Sequence, residues 1–400
     1  MKLTRYSSAL ILVCLVMFTV LVLLFNLYMS LLGDFSGYTE LARSFINKRL
    51  DLTHISIQED YATYDSKYYL HQGPFPAVLL IPFVFVSDLI KIQFQQSFLH
   101  FFVFLGTLFI CFKIARLFKY GDEDSFYFAY AFCLSSVYQS VSIIPISPYL
   151  SQVVSVFFTL LAIYEFLVKR RYFLVGLYSS FALTTRSISG LVIIFFIIEI
   201  LTNKRYEFRK RVLSLFKLLF PYTLAIISLM FYNQIRFMNP FDSGYMKVTT
   251  LPLISSLFSL SYIPMNFYYY FVNTFKIHFE SSRDLMLSKI FSTVPNIKVV
   301  EPGTSFFIVS PFFLNVFRAN FKKRIVGISL VPIFTILIVL LAYYSPGWVQ
   351  VGPRYMIDVL PFIFILLLHS FKSRRLSLKA KFLILFSSIF NFYLFLTIFL

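Results

Sequence analysis

Charge is what this 400-residue chain has least of: 14% of its residues are Asp, Glu, Lys or Arg, against 58% hydrophobic and 20% aromatic. A soluble protein of that length cannot hide so much apolar surface, so the surrounding solvent is a bilayer. The only three cysteines, Cys14, Cys111 and Cys133, lie inside apolar runs, and the five histidines are scattered. That excludes a disulfide framework and leaves no metal-ligand spacing. No Gly-rich fingerprint for nucleotide phosphates appears. The first apolar run is too long for a cleavable signal and lacks a small-x-small exit. With no internal repeat or soluble segment, residues 1–400 read as a single integral membrane domain.

The charge that is present is mostly positive, with 36 Lys and Arg against 18 Asp and Glu. It falls in short segments between apolar runs: Lys2 and Arg5; Lys113, Arg116 and Lys119; Lys169 to Arg171; Lys204 to Lys217; Arg318 to Arg324; and Lys372 to Lys381. Placing every cluster in the cytoplasm satisfies the positive-inside rule without exception. The basic balance thus reports topology and anionic lipid, and no nucleic-acid partner is implied.

That constraint predicts an all-α polytopic bundle of about eleven spans, within a range of ten to thirteen. They fall near 7–32, 97–118, 125–145, 149–168, 172–185, 187–202, 218–236, 305–317, 325–345, 355–371 and 382–400, with the N-terminus inside. Residues 74–89 carry Pro74, Pro76 and Pro82 and read as an interfacial or re-entrant segment on the outer face. Two larger outer loops, 33–96 and 237–304, are expected to carry interfacial helices. The aromatic stretch Tyr262 to Phe275 reads as a headgroup anchor.

The chemistry gathers at the outer ends of the spans. Asp34 follows the first apolar run at once, where a carboxylate can meet a hydroxyl in water; solvated end acids are also common there. Lys67 and His71 precede the Gly73-Pro74 turn and have the chemistry to bind phosphate, although Lys67 equally suits a snorkelling loop residue. Arg186 breaks two short apolar runs, and an Arg at that depth is costly unless paired or functional; a tight outer turn explains it nearly as well. Asn233 and Arg236 close a span with donors for a sugar or phosphate, and Asp242 before Ser243-Gly244 reads as a turn acid. Arg354 and Tyr355 open a span after Gly352-Pro353, with the guanidinium free to clamp a phosphate; Asp358, one turn later, is expected to pair with Arg354.

In order, Asp34…Tyr38…Ala42, Ser66-Lys67-Tyr68-Tyr69 into Gly73-Pro74, the Arg186 turn, Tyr232-Asn233…Arg236-Phe237…Asn239-Pro240-Phe241 and Gly352-Pro353-Arg354-Tyr355 resemble the GT-C class of membrane glycosyltransferases. The nearest in pattern are bacterial relatives of protein O-mannosyltransferases and lipid A aminoarabinose transferases. The resemblance implies that Asp34 deprotonates or orients an acceptor hydroxyl. It also implies a sugar donor on polyprenyl phosphate, with Lys67 and Arg354 holding the phosphate. Many members carry a second acid in the next outer loop; this chain reads Pro145-Ile146-Ser147-Pro148-Tyr149 there, so a divalent metal is not supported and no cofactor is expected.

The sequence therefore reads as a glycosyltransferase at the outer face of a bacterial cytoplasmic membrane, acting on a glycan, lipid or protein acceptor. A transporter or lipid flippase is the rival, as is a polymerase or ligase of lipid-linked glycans. Transporters place ionisable groups near the midplane, whereas Lys113, Glu165, Glu199 and Asp358 lie near span ends. The topology is directly testable: a single Cys at position 60 should react with an impermeant thiol reagent in cells whose outer barrier is opened. Cys at 170 or 210 should react only after lysis, and labelling of either from outside reverses the orientation.

Overall fold

The computed structural model describes residues 2–32, 36–56, 59–92, 94–248, 256–281 and 293–399. Lipid offers backbone groups no hydrogen bonds, so the apolar runs wind into helices. The long helix α1 (Lys2–Leu32) is followed by the loop helices α2 (Gly37–Ile46) and α3 (Phe75–Leu89). Then come α4 (Gln96–Leu117), α5 (Asp122–Cys133), α6 (Tyr138–Ile143), α7 (Ser147–Val168), α8 (Tyr172–Thr185), α9 (Ile193–Thr202) and α10 (Phe208–Phe237). The chain finishes with α11 (Ile263–Phe271), α12 (Phe306–Val309), α13 (Arg324–Leu341), α14 (Leu360–Leu368) and α15 (Leu378–Phe399). Of these, α4, α7, α10, α13 and α15 are each long and apolar enough to cross a membrane.

Four expected spans are interrupted, among them 187–202, whose first turns, Ser187–Val192, are 3-10 before α9. The stretch 125–145 breaks between α5 and α6, where the Ser136 hydroxyl donates back to the Phe132 carbonyl and competes with the helix. The stretch 305–317 is the four-residue α12 followed by a 3-10 turn, Pro311–Arg318, opened by its proline. The stretch 355–371 likewise begins as a 3-10 turn, Arg354–Asp358, before α14. Elsewhere the hydroxyls in the spans bond to carbonyls one turn back, as Thr107, Thr159 and Ser179 do, which satisfies them without water.

The all-α expectation holds in the bundle and fails in the loops, which also fold as hairpins. Strands β1 (Ala62–Tyr64) and β2 (Lys67–Tyr69) pair antiparallel with Tyr64 opposite Lys67. Asp65 and Ser66 connect them, both at positive φ (50° and 57°), as a two-residue hairpin turn requires. Strands β3 (Phe275–Ser281) and β4 (Thr293–Val299) form a second antiparallel pair in the later loop. The segment 74–89, expected to be interfacial or re-entrant, forms the helix α3, lying beside α2. Tyr38 Oη donates to the Gly73 carbonyl at their starts (3.2 Å), and Arg43 pairs with Asp88 at their ends (3.1 Å).

Polar side chains collect at two opposite ends of this bundle. At one, Glu199 pairs with both Arg170 and Arg324, and Glu165 accepts from Arg171 at 2.7 Å. Another basic cluster closes there similarly, with Lys381 on Glu123 at 2.6 Å and Tyr120 Oη donating to the Leu368 carbonyl at 2.8 Å. Helices α7 and α10 connect that end to the other, at Ser147 and Phe237 respectively, where the candidate residues lie. Gly73 must be glycine because a Cβ there would overlap the Thr184 carbonyl, which lets the first loop seat directly on the end of α8.

Candidate functional site

Helix α8 ends at Thr185, and Arg186 turns the chain into extended backbone (φ −146°, ψ 121°) before the 3-10 turn Ser187–Val192. That bend aims Arg186 at Asp358 on the later 3-10 turn. Nη2 donates to Oδ2 at 3.1 Å and Nε to Oδ1 at 3.4 Å. The Arg186 side chain is 10% exposed and that of Asp358 is fully enclosed. Ser189 Oγ completes the carboxylate, donating to Oδ1 at 2.7 Å and lying 3.2 Å from Ser155 Oγ on α7. This buried pair corrects the expected pairing: Asp358 is taken by Arg186, and Arg354 is left without it.

Arg354 is partly buried among aromatic rings. Its guanidinium carbon lies 5.1 Å from the ring centres of both Tyr149 and Tyr355, and Nη2 donates to Tyr355 Oη at 3.3 Å. Its Nε has no hydrogen-bond partner among the described residues, and no carboxylate pairs with it there. Tyr343 stands against Tyr355 with centroids 5.8 Å apart. Two further hydroxyls close to this group, Tyr270 Oη on α11 and Thr304 Oγ1, are buried without partners among the described residues. A cation of this kind, flanked by π-faces and hydroxyls, is built to receive an anion.

The remaining sequence candidates divide. Arg236 is consumed structurally: Nη1 donates to the Leu70 carbonyl and Nη2 to Asn233 Oδ1, both at 2.8 Å, and it stacks 3.8 Å from the Tyr232 ring centre. Asn233 itself donates to the Pro240 carbonyl just beyond α10, so Arg236 fastens the first loop to α10 while Asn233 holds Arg236 and the chain leaving the helix. His71 is buried against Tyr245, with ring centres 4.8 Å apart, and accepts from Gln72 Nε2 at 2.9 Å. Burial drives its pKa down to about 4, so at neutral pH it is an uncharged ring and no phosphate-binding cation. Lys67 sits exposed beside the hairpin turn, apart from the buried group. Asp242 is the turn acid expected, accepting from Gly244 N at 2.8 Å and pairing with Lys247. Asp34 lies outside the described residues.

The aromatic stretch splits between roles: Tyr268 is exposed, as an anchor would be, while Tyr270 is fully buried and faces Arg354 and Tyr355. Glu59 was not legible as a site residue. It is buried, and both its oxygens accept from Ser147, in the loop that lacks an acid of its own. The only signal was the adjacent acids Glu59-Asp60 in an outer loop otherwise rich in Tyr and Lys. Among the described residues no group of His, Cys, Asp and Glu is arranged to hold a metal ion.

No family model and no curated protein matches the chain by sequence. Among solved structures, the crystal structure of ArnT from Cupriavidus metallidurans bound to undecaprenyl phosphate is similar over 90% of this chain, with a TM-score of 0.48 and 13% identity. The chain spans about 60% of that protein's length.

The ion pair yields a test of the frame. Asp358→Ala strands Arg186 in a dry site and should cost about 3–5 kcal/mol, read as a lowered unfolding temperature in detergent. Adding Arg186→Met, which removes the stranded charge, should recover most of the loss. A single variant as stable as the parent would mean the pair does not join the two turns.

Proposed function

We propose that this protein is a GT-C-like glycosyltransferase, moving a sugar from a polyprenyl-phosphate donor to an acceptor hydroxyl at the outer face of a bacterial cytoplasmic membrane. The observation that carries the reading is Arg354: a cation among tyrosines whose expected counter-charge is committed to Arg186. Such a guanidinium keeps its donors for a ligand anion, and a phosphate accepts them in its own planar geometry. Nearby lies a hydrophobic groove of about 370 Å³ between α3, α8 and α10, lined by Phe75, Phe181, Pro221 and Tyr232 among others. It reaches Thr184, two residues from Arg186, and suits an isoprenoid chain.

In this reaction the acceptor oxygen attacks the anomeric carbon as the bond from that carbon to the phosphate oxygen breaks. The bonding pair leaves on the polyprenyl phosphate, and Arg354 stabilises the charge that develops. The acceptor proton passes to a carboxylate, the role assigned to Asp34 from the sequence, which is commonly worth about 10²–10⁴-fold in rate. His71, Arg186, Asn233 and Arg236 act behind the contact surface by holding the loops that form it. Tyr355 orients Arg354 from below.

Binding of a polyprenyl phosphate to the purified protein tests the anion site. Arg354→Ala should weaken it about 10–100-fold, the value of a charge-assisted contact, and Arg354→Lys should recover only part because it loses the planar fork. Unchanged affinity in Arg354→Ala removes the residue from the site. For Asp34, the Asn variant should bind that lipid normally. In a deletion strain complemented with it, product measured by mass analysis of lipids, glycans and surface proteins should fall about 10²-fold or more. Near-normal product from Asp34→Asn would favour the transporter.

A further inference from the structure

Glu59 lies in the first outer loop, outside both hairpin and helix, yet it is buried. Its Oε2 accepts from Ser147 Oγ at 2.7 Å; its Oε1 accepts from Ser147 N at 3.0 Å and from Gln96 Nε2 at 3.1 Å. Ser147 N is a free donor at the start of α7, an end that favours a carboxylate. Gln96, the first residue of α4, accepts from Tyr38 N through Oε1 at 2.8 Å and donates to the Pro145 carbonyl at 2.6 Å. One carboxylate thus joins the first loop to the beginnings of α4 and α7, and through Gln96 to α2.

Contact with α2 is also direct. A Cβ on Gly37 would overlap both Glu59 Oε2 and Ser147 Oγ, so only glycine lets the first turn of α2 rest on this group. Gly37 follows Asp34 by three residues. The titratable groups facing Glu59 are Tyr38 from α2 and Tyr61 from its own loop, whose hydroxyl is 3.5 Å from Oε2. Helices α4 and α7 present the neutral Gln96 and Ser147, and no basic side chain pairs with Glu59 among the described residues. A dry carboxylate fitted this closely has only neutral donors to stabilise its charge.

We propose that Glu59 is a proton-linked positioning residue. Protonated, it seats the start of α2 against α4 and α7; ionised, it favours release of that seat. The protonated form keeps every contact, donating through Oε2 to Ser147 Oγ while Oε1 still accepts from Ser147 N and Gln96 Nε2. Burial raises the carboxyl to about 7, opposed by the hydrogen bonds from Ser147, Gln96 and Tyr61. A value raised in the seated state means that protonation stabilises the seat. That stabilisation is complete below the ordinary carboxylate value near 4.5 and is lost as pH rises through about 7. What the seated loop serves rests on the transfer reaction proposed above, whereas the proton linkage rests on the contacts alone.

Hydrogen–deuterium exchange of the whole protein in nanodiscs reads the seat without any substrate. After correction for intrinsic exchange, protection of a peptide covering 37–46 should fall roughly tenfold or more between pH 5.5 and 8, while a peptide from α13 holds constant. Glu59→Gln, neutral at every pH and of the same size, should give high protection throughout. A pH-independent parent, or a Gln variant that keeps the parent's profile or loses protection at both ends, would overturn the proposal. Loss of lipid binding at Arg354 leaves this profile untouched, and a flat profile leaves the anion site standing.

Discussion

Two charges drawn out of water stay ionised only if each finds the other in good geometry, and Arg186 with Asp358 does so across two irregular turns. The pair ties the joint after α8 to the 3-10 turn that precedes α14, and Ser189 and Ser155 extend the tie to α7. Neither turn offers enough backbone hydrogen bonding to fix its own orientation. The ion pair sets their relative placement together with Tyr222 Oη on the Gly190 carbonyl, and Arg354 is further aimed by its own N donating to Gln350 Oε1 at 3.2 Å. The ion pair also takes the nearest carboxylate away from Arg354, so structure and binding capacity follow from a single choice of partner.

The first loop is attached with similar economy. Arg236 grips the Leu70 carbonyl, Gly73 seats on the end of α8, and Tyr38 reaches the Gly73 carbonyl. These are contacts to backbone, which fix position without specifying chemistry. A loop held in this way keeps its remaining side chains for ligand or solvent. The opposite end of the bundle works differently, with Glu199 shared between Arg170 and Arg324. There, charges pair with charges and serve to close the helix ends.

Helix positions were readable because apolar run length reports directly on what must be shielded from water, and α4, α7, α13 and α15 follow it closely, while α10 begins ten residues before its apolar run, in the basic segment. The breaks after Cys133 and before Leu360 were not, since the first depends on Ser136 turning back to the Phe132 carbonyl and the second on the Arg354–Asp358 turn engaging Arg186 and Ser189, far away in sequence. His71, Arg186, Arg236 and Arg354, expected at span ends, come to one end of the bundle. Their roles were harder to read, because an arginine's function depends on which acceptor it meets. Asp358 lies four residues from Arg354 and 172 from Arg186, yet it pairs with the distant one. Glu59 illustrates the same limit, its partners Gln96 and Ser147 lying 37 and 88 residues onward.

Helix α10 has 30 residues and packs chiefly on α8, with Ser214, Leu218, Pro221, Tyr232, Arg236 and Phe237 buried and most of its flank open to lipid. At 1.5 Å per residue it is about 45 Å long, against a hydrocarbon core of about 30 Å. Its first ten residues carry Arg209, Lys210, Arg211 and Lys217, so the apolar stretch that follows is about 30 Å long and matches that core; only a thinner bilayer would force the helix to tilt. The Phe237 end of this helix is where Arg236 holds Leu70, immediately before His71 and the Gly73-Pro74 turn. A bilayer thinner than the apolar stretch would therefore pull on the first loop, through one guanidinium and one carbonyl.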